Sequence, residues 1–298
     1  MEPTTYLGAS SHHVHCENYI LKEGEPIKLF GDSEIYPGAE WLDMKNCSGV
    51  IDSSTFSLLP NMDYINMDGC NIEDCFPKAF SPLEKLRALD IRNSKFPIKN
   101  EIFEDSKNIS SLSLSNMKIP TSNIFGHLNN LESLSFSECV FEQLNKDIFS
   151  GMNNLKYLSI SDSEIGNIST DCFDDMLNLE GLSIRDNVIG NVDCSSILKL
   201  TNLNRFSFHH NTTSSDIDYD AFHQLTSLES ILFETSVYKS LNFDDFPNLK
   251  TVEIGYFDEE KMPDEDEVIE KLKLKNITFQ YVFCGKVEYD MDDMQVCC

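Results

Sequence analysis

The residues best suited to bind or transform something in this chain are histidines and cysteines. His12, His13, His15 and Cys16 crowd together near the start, a donor set of the kind that holds a borderline metal ion. No second His/Cys group stands at finger spacing from them, and the stretch around them reads as a tail, so neither a metal nor a cofactor is expected. Ten cysteines occur in 298 residues, the last two adjacent as Cys297 and Cys298. Thiols in that number either bridge or pack as small apolar groups. The sequence holds no glycine-rich phosphate loop, no H-E-x-x-H and no G-x-S-x-G. Carboxylates are plentiful but fall on polar segments, so the chain reads as a non-enzyme.

What positions these groups is a repeat. The pattern L-x-x-L-x-L recurs from Ala39, Met62, Leu86, Ile109, Leu131, Leu155, Leu179, Leu203, Leu228 and Leu249, at spacings of 21 to 25 residues. A second pattern runs in phase with it, six and three residues before each start: Phe56/Leu59, Phe80/Leu83, Phe103/Ser106, Phe125/Leu128, Phe149/Met152, Phe173/Met176, Ile197/Leu200, Phe222/Leu225 and Phe243/Phe246. No single copy can close its own apolar face. Stacked copies bury it and pair their short strands into a parallel sheet. The fold class expected is an α/β leucine-rich-repeat solenoid, a horseshoe with the sheet on its concave face. About ten repeats span 39–257, with an N-terminal cap over 1–38 and a C-terminal cap over 258–298. Ile27 to Phe30 reads as an edge strand covering the first repeat. Val268, Ile269 and Leu272 suggest an amphipathic helix, and Ile277, Phe279, Tyr281 and Phe283 a final strand.

Position nine of each repeat carries Cys47, Cys70, Ser94, Met117, Cys139, Ser163, Asn187, Asn211, Ser236 and Phe257. An inward side chain there must satisfy backbone amides where the strand turns away. Cys47, Cys70 and Cys139 are therefore expected as structural thiols. Asn211 begins an N-x-S/T sequon, yet its position predicts burial and no glycan. The remaining sequons, at Asn46, Asn108, Asn167 and Asn276, are glycosylation candidates. Cys172 and Cys194 fall on adjacent repeats within reach of a bridge. Cys284 is expected to pair with Cys297 or Cys298, and Cys16 with Cys47 or Cys75.

Alternation along each strand names the open face of the sheet. Its middle is a carpet of serines, from Ser111, Ser113 and Ser115 through Ser133, Ser135, Ser137, Ser159, Ser161, Ser183 and Ser207. Tyr157, Arg185, Arg205 and His209 flank it on one side, Trp41 and Tyr64 on the other. Tyr, Trp and Arg carry much of the energy at protein interfaces, so these six are the candidate binding residues; short polar residues on an open sheet also need no ligand at all.

A formal charge of -27 excludes partners that are themselves polyanions, nucleic acid above all. No apolar run is long enough to insert in a membrane. The first residues lack a basic and apolar leader, which fits either a cytosolic protein or a processed one. Cysteines and sequons together point to secretion.

The closing phenylalanine in repeats of about 24 residues, Ser or Cys at position nine, Cys16 ahead of the first repeat and the Cys297-Cys298 pair resemble the mosquito leucine-rich-repeat immune proteins, the LRIM/APL group. That resemblance implies a secreted hemolymph protein of innate immunity. Its partners would be a second leucine-rich-repeat chain, disulfide-linked through Cys297 or Cys298, and a complement-like thioester protein. The heptads of that group are missing here. Two alternatives stand beside it: a Toll-like receptor ectodomain fragment or decoy, and a matrix adhesion protein.

Overall fold

A computed structural model describes residues 12–28, 35–99, 101–214, 216–234, 237, 238, 241–256 and 266–283. Twelve parallel strands lie side by side in chain order: His13–Glu17, Trp41–Lys45, Tyr64–Asp68, Ala88–Ile91, Ser111–Ser115, Ser133–Ser137, Tyr157–Ser161, Gly181–Arg185, Arg205–His209, Ser230–Phe233, Thr251–Tyr256 and Thr278–Phe283. They run in strict register, so that Leu134 pairs with Leu158 and Leu158 with Leu182. Alternate residues point into one continuous core, as in Leu134 and Phe136 against Ser133 and Ser135. The leucine-rich-repeat solenoid expected from the spacing is thus the fold.

Each repeat turns through the same local devices. The residue after the strand, position eight, adopts left-handed backbone at Asn46, Gly69, Asn93, Asn116, Glu138, Asp162, Asp186 and His210. Asn, Asp and Gly dominate this list because they tolerate positive φ. The chain then enters a short second strand. Lys118–Ile119, Val140–Phe141, Glu164–Ile168, Val188–Val192 and Thr212–Thr213 form one parallel sheet, and Ile20–Leu21, Ser48–Ile51 and Asn71–Cys75 another. Strands and turns, rather than helices, therefore make most of the outer wall. The Phe-x-x-Leu signature closes by three-residue turns: Leu59 donates to Phe56 O (2.8 Å), and Met62 to Leu59 O (3.4 Å). This is 3₁₀ geometry, and it explains why the two apolar patterns are three residues apart. Phe56, Phe80, Phe103 and Phe125 stack in line with centroids 5.7, 6.1 and 6.4 Å apart.

The sheet runs past both ends of the repeat region. In the N-terminal segment the described added strand is His13–Glu17, in register with Trp41–Lys45; of the edge strand expected from Ile27 to Phe30, residues 29 and 30 lie outside the described residues. Ile27 is buried without belonging to a strand. Val14 and Cys16 fill the core places that Leu42 and Met44 fill one repeat later, so His13 and His15 sit on a strand rather than a tail, with His12 just ahead of it. At the other end helix Asp266–Leu274 buries Val268 and Leu272 and leads into strand Thr278–Phe283.

Candidate functional site

The inner turn is held by a ladder of position-nine side chains. Asn187 accepts from Ser163 N at 2.9 Å and donates to Ile160 O at 3.0 Å; Asn211 accepts from Asn187 N at 3.1 Å and donates to Ile184 O at 2.8 Å. Serine does the same with a shorter arm: Ser163 Oγ accepts from Cys139 N (3.0 Å), and Ser94 Oγ accepts from Cys70 N (2.8 Å) while donating to Met67 O. Cysteine supplies only the donor half, from Cys47 Sγ to Cys16 O (3.2 Å) and Cys70 Sγ to Met44 O (3.4 Å). These thiols thus occupy asparagine's place in the turn. The two asparagines 187 and 211 give all their amide atoms to the ladder, as expected for Asn211, although Asn211 is half-buried rather than fully enclosed.

The seven cysteines within the described residues are unbridged. Cys172 and Cys194, expected as an inter-repeat pair, stand as separate thiols. The Cys16 and Cys47 sulfurs lie 3.9 Å apart. At Cys75 and Cys139 burial raises the thiol pKa, to about 12 and about 11, which makes these two inert packing groups. Cys284, Cys297 and Cys298 lie outside the described residues.

A second ladder, absent from the sequence reading, runs along the turn before seven of the strands. Asn61 donates to Pro37 O, Asn108 to Glu84 O, Asn130 to Lys107 O, Asn154 to Asn129 O, Asn178 to Asn153 O, Asn202 to Leu177 O and Asn248 to Thr226 O, at 2.5 to 2.9 Å. The signal was the asparagine immediately preceding most repeat starts. Among the sequons, Asn46, Asn108, Asn167 and Asn276 are exposed; the Asn108 amide is engaged in this ladder.

The open face of the long sheet divides into two patches and a floor. Nearest its first strand, Trp41 stacks obliquely on Tyr64 with centroids 4.9 Å apart and meets the His13 ring edge-on at 5.8 Å. Trp41 remains 43% exposed. Asp90 and Arg92 close this patch on the far side through a paired salt bridge (2.6 Å at the shortest contact). The floor is the serine carpet, where Ser135 donates to Ser113 Oγ at 3.0 Å. Ser115 and Ser161 are buried, and Ser115 Oγ accepts from Asn93 N, so position seven closes the turn there instead of facing outward.

Beyond the floor, Tyr157, Gly181 and Arg205 share one row of the register. The Tyr157 ring leans over Gly181, where a Cβ would lie 2.9 Å from ring Cδ1, and its hydroxyl donates to Glu180 (3.2 Å). Tyr157 is 44% exposed. Arg185 is partly spent on Asp186 at 2.7 Å. His209 does not belong to the open face: it is 2% exposed, lies 2.9 Å from Ser207 Oγ, and burial drives its pKa down to about 3. Like Ser115 and Ser161 at the same position of their repeats, the ring is buried in the stack.

The sequence matches the BspA type leucine-rich repeat region over residues 49–180 and 118–252, together well over half of the chain. The chain belongs to this repeat family. The family match does not single out the insect group that the terminal cysteine pair resembles. No curated protein sequence matches the chain. Among solved structures, the TLR13–ssRNA13 complex is similar at 18% identity and a TM-score of 0.63, over 85% of this chain and 41% of that one. This chain thus spans about two fifths of that receptor's length. An internalin, InlF, from Listeria monocytogenes aligns at 19% identity and a TM-score of 0.49, over 92% of this chain and 82% of its own. The family is one of binding scaffolds, and no enzyme family is indicated. No helix among the described residues is long and apolar enough to cross a membrane.

Proposed function

We propose that this chain is a non-enzymatic recognition scaffold that takes a protein ligand on the open face of its long sheet. The observation that carries this reading is the exposure of Trp41 and Tyr157, two large aromatic groups held on rigid strands at either side of a small, polar serine floor. Aromatic anchors with few rotatable bonds gain contact area at low entropic cost. The charge of -27 argues against a nucleic-acid ligand, whatever the solved receptor complex binds. A secreted innate-immune setting is the finer form of this reading. It is supported by the resemblance carried by Cys297 and Cys298 and by the exposed sequons at Asn46, Asn108, Asn167 and Asn276.

The test is capture of partners from native fluid or extract by the wild type and by two double variants, Trp41→Ala/Tyr64→Ala and Arg185→Glu/Arg205→Glu. Loss of the same partner from either variant, with Val188→Ser on the outer wall behaving as wild type, supports the open face. A partner held equally by all of them overturns it.

A further inference from the structure

We infer that His13, His15 and Asp43 form a site for one divalent transition-metal ion of the zinc class, at the edge of the open face. The outermost strand of the sheet, His13–Glu17, places His13 and His15 on one face by simple alternation. Its register sets His15 directly opposite Asp43. Both imidazoles converge on a single carboxylate oxygen, with His13 Nε2 2.5 Å and His15 Nδ1 3.4 Å from Asp43 Oδ2. The three donor atoms lie within 4.8 Å of one another. Zinc with bonds of about 2.0 Å in a tetrahedron sets its donors ~3.3 Å apart, so small rotations of three partly exposed side chains suffice.

Two nitrogens and one carboxylate select zinc, cobalt or nickel over magnesium and calcium, which prefer an all-oxygen shell. Without metal, the His13–Asp43 hydrogen bond holds the cluster together. An incoming ion takes the place of protons, so binding weakens in acid. The surrounding field of -27 charges draws cations toward it. Three protein ligands leave at least one coordination position, and two ring contacts, Trp41 beside His13 and Tyr64 beside Trp41, place the cluster next to the aromatic patch. The ion site stands or falls independently of the proposed protein ligand.

Isothermal titration of the full chain with Zn²⁺ and with Co²⁺ tests it, using the metal salt alone as ligand. The expected result is one ion per chain. Affinity falls at least about tenfold in each of His13→Ala, His15→Ala and Asp43→Asn, while His127→Ala and His223→Ala, exposed elsewhere, bind as wild type. All three substitutions lie on an open strand face, and an unchanged circular dichroism spectrum shows that the stack is intact. The Co²⁺ complex should lack a thiolate charge-transfer band. No binding by the wild type, binding indifferent to the three substitutions, or a thiolate band that assigns the ion to cysteines would each overturn the inference.

Discussion

Replacing Asn187 with alanine separates the two asparagine ladders energetically. Asn187 is 1% exposed, and its amide accepts from Ser163 N and donates to Ile160 O and to Asn211 Oδ1. Truncation leaves a buried N–H and a buried C=O without partners, each costing about 1 to 3 kcal/mol. The expected loss is therefore about 2 to 6 kcal/mol, toward the lower end if the turn relaxes. Asn202 makes one bond of similar length, 2.8 Å to Leu177 O, but on the exposed side of the solenoid. Water replaces that bond in Asn202→Ala, and the loss should stay below about 1 kcal/mol. Urea unfolding followed by far-ultraviolet circular dichroism measures both. Trp41 fluorescence must trace the same transition, because long repeat arrays can unfold in parts. If Asn187→Ala costs under about 1 kcal/mol, or no more than Asn202→Ala, the inner ladder does not hold the turn and the account of position nine fails.

Ser106 sits where other repeats place Leu83, Leu128 or Met152, and its buried Oγ has no hydrogen-bond partner among the described residues. Ser106→Leu should stabilise the chain by about 1 to 2 kcal/mol, and a lower urea midpoint would contradict the assignment. Gly190 packs so closely that a Cβ would lie 1.9 Å from Gly166 O, so Gly190→Ala should cost at least about 3 kcal/mol; a melting temperature within a degree or two of wild type would refute the packing. His209 carries a pKa lowered by burial to about 3, against an ordinary value of 6.5. Its neutral form is the one the fold retains, so its contribution is complete above pH 6.5 and is lost as the pH falls below it. Between pH 7.5 and 5 that loss is about 2 kcal/mol. His209→Gln should flatten the stability profile by that amount, and an unchanged profile would place the acid sensitivity elsewhere.

The repeat was legible because it rests on residue type and period. Leu, Ile and Phe at fixed spacing can be buried in only one way when each copy must lean on the next, so the fold, the open-face rows and the thiols at position nine followed from the sequence. Signals at single positions were legible too but easily passed over: Asn, Asp or Gly at most position-eight places marks the left-handed turn, and asparagine before most starts marks the outer ladder.

Strand His13–Glu17 was hidden because Val14 and Cys16 precede Leu42 and Met44 by 28 residues, outside the 21 to 25 of the other copies. Only the stacked structure shows that the next strand sets Asp43 against two histidines 28 and 30 residues earlier in the chain. It also decides which nominally outward residues stay outside: His209 and Ser161, at the last places of their strands, are buried. Periodicity dictates what a side chain faces within its own repeat. Contacts between repeats, and the solvent left over them, depend on how closely neighbouring turns stack, which no single copy encodes.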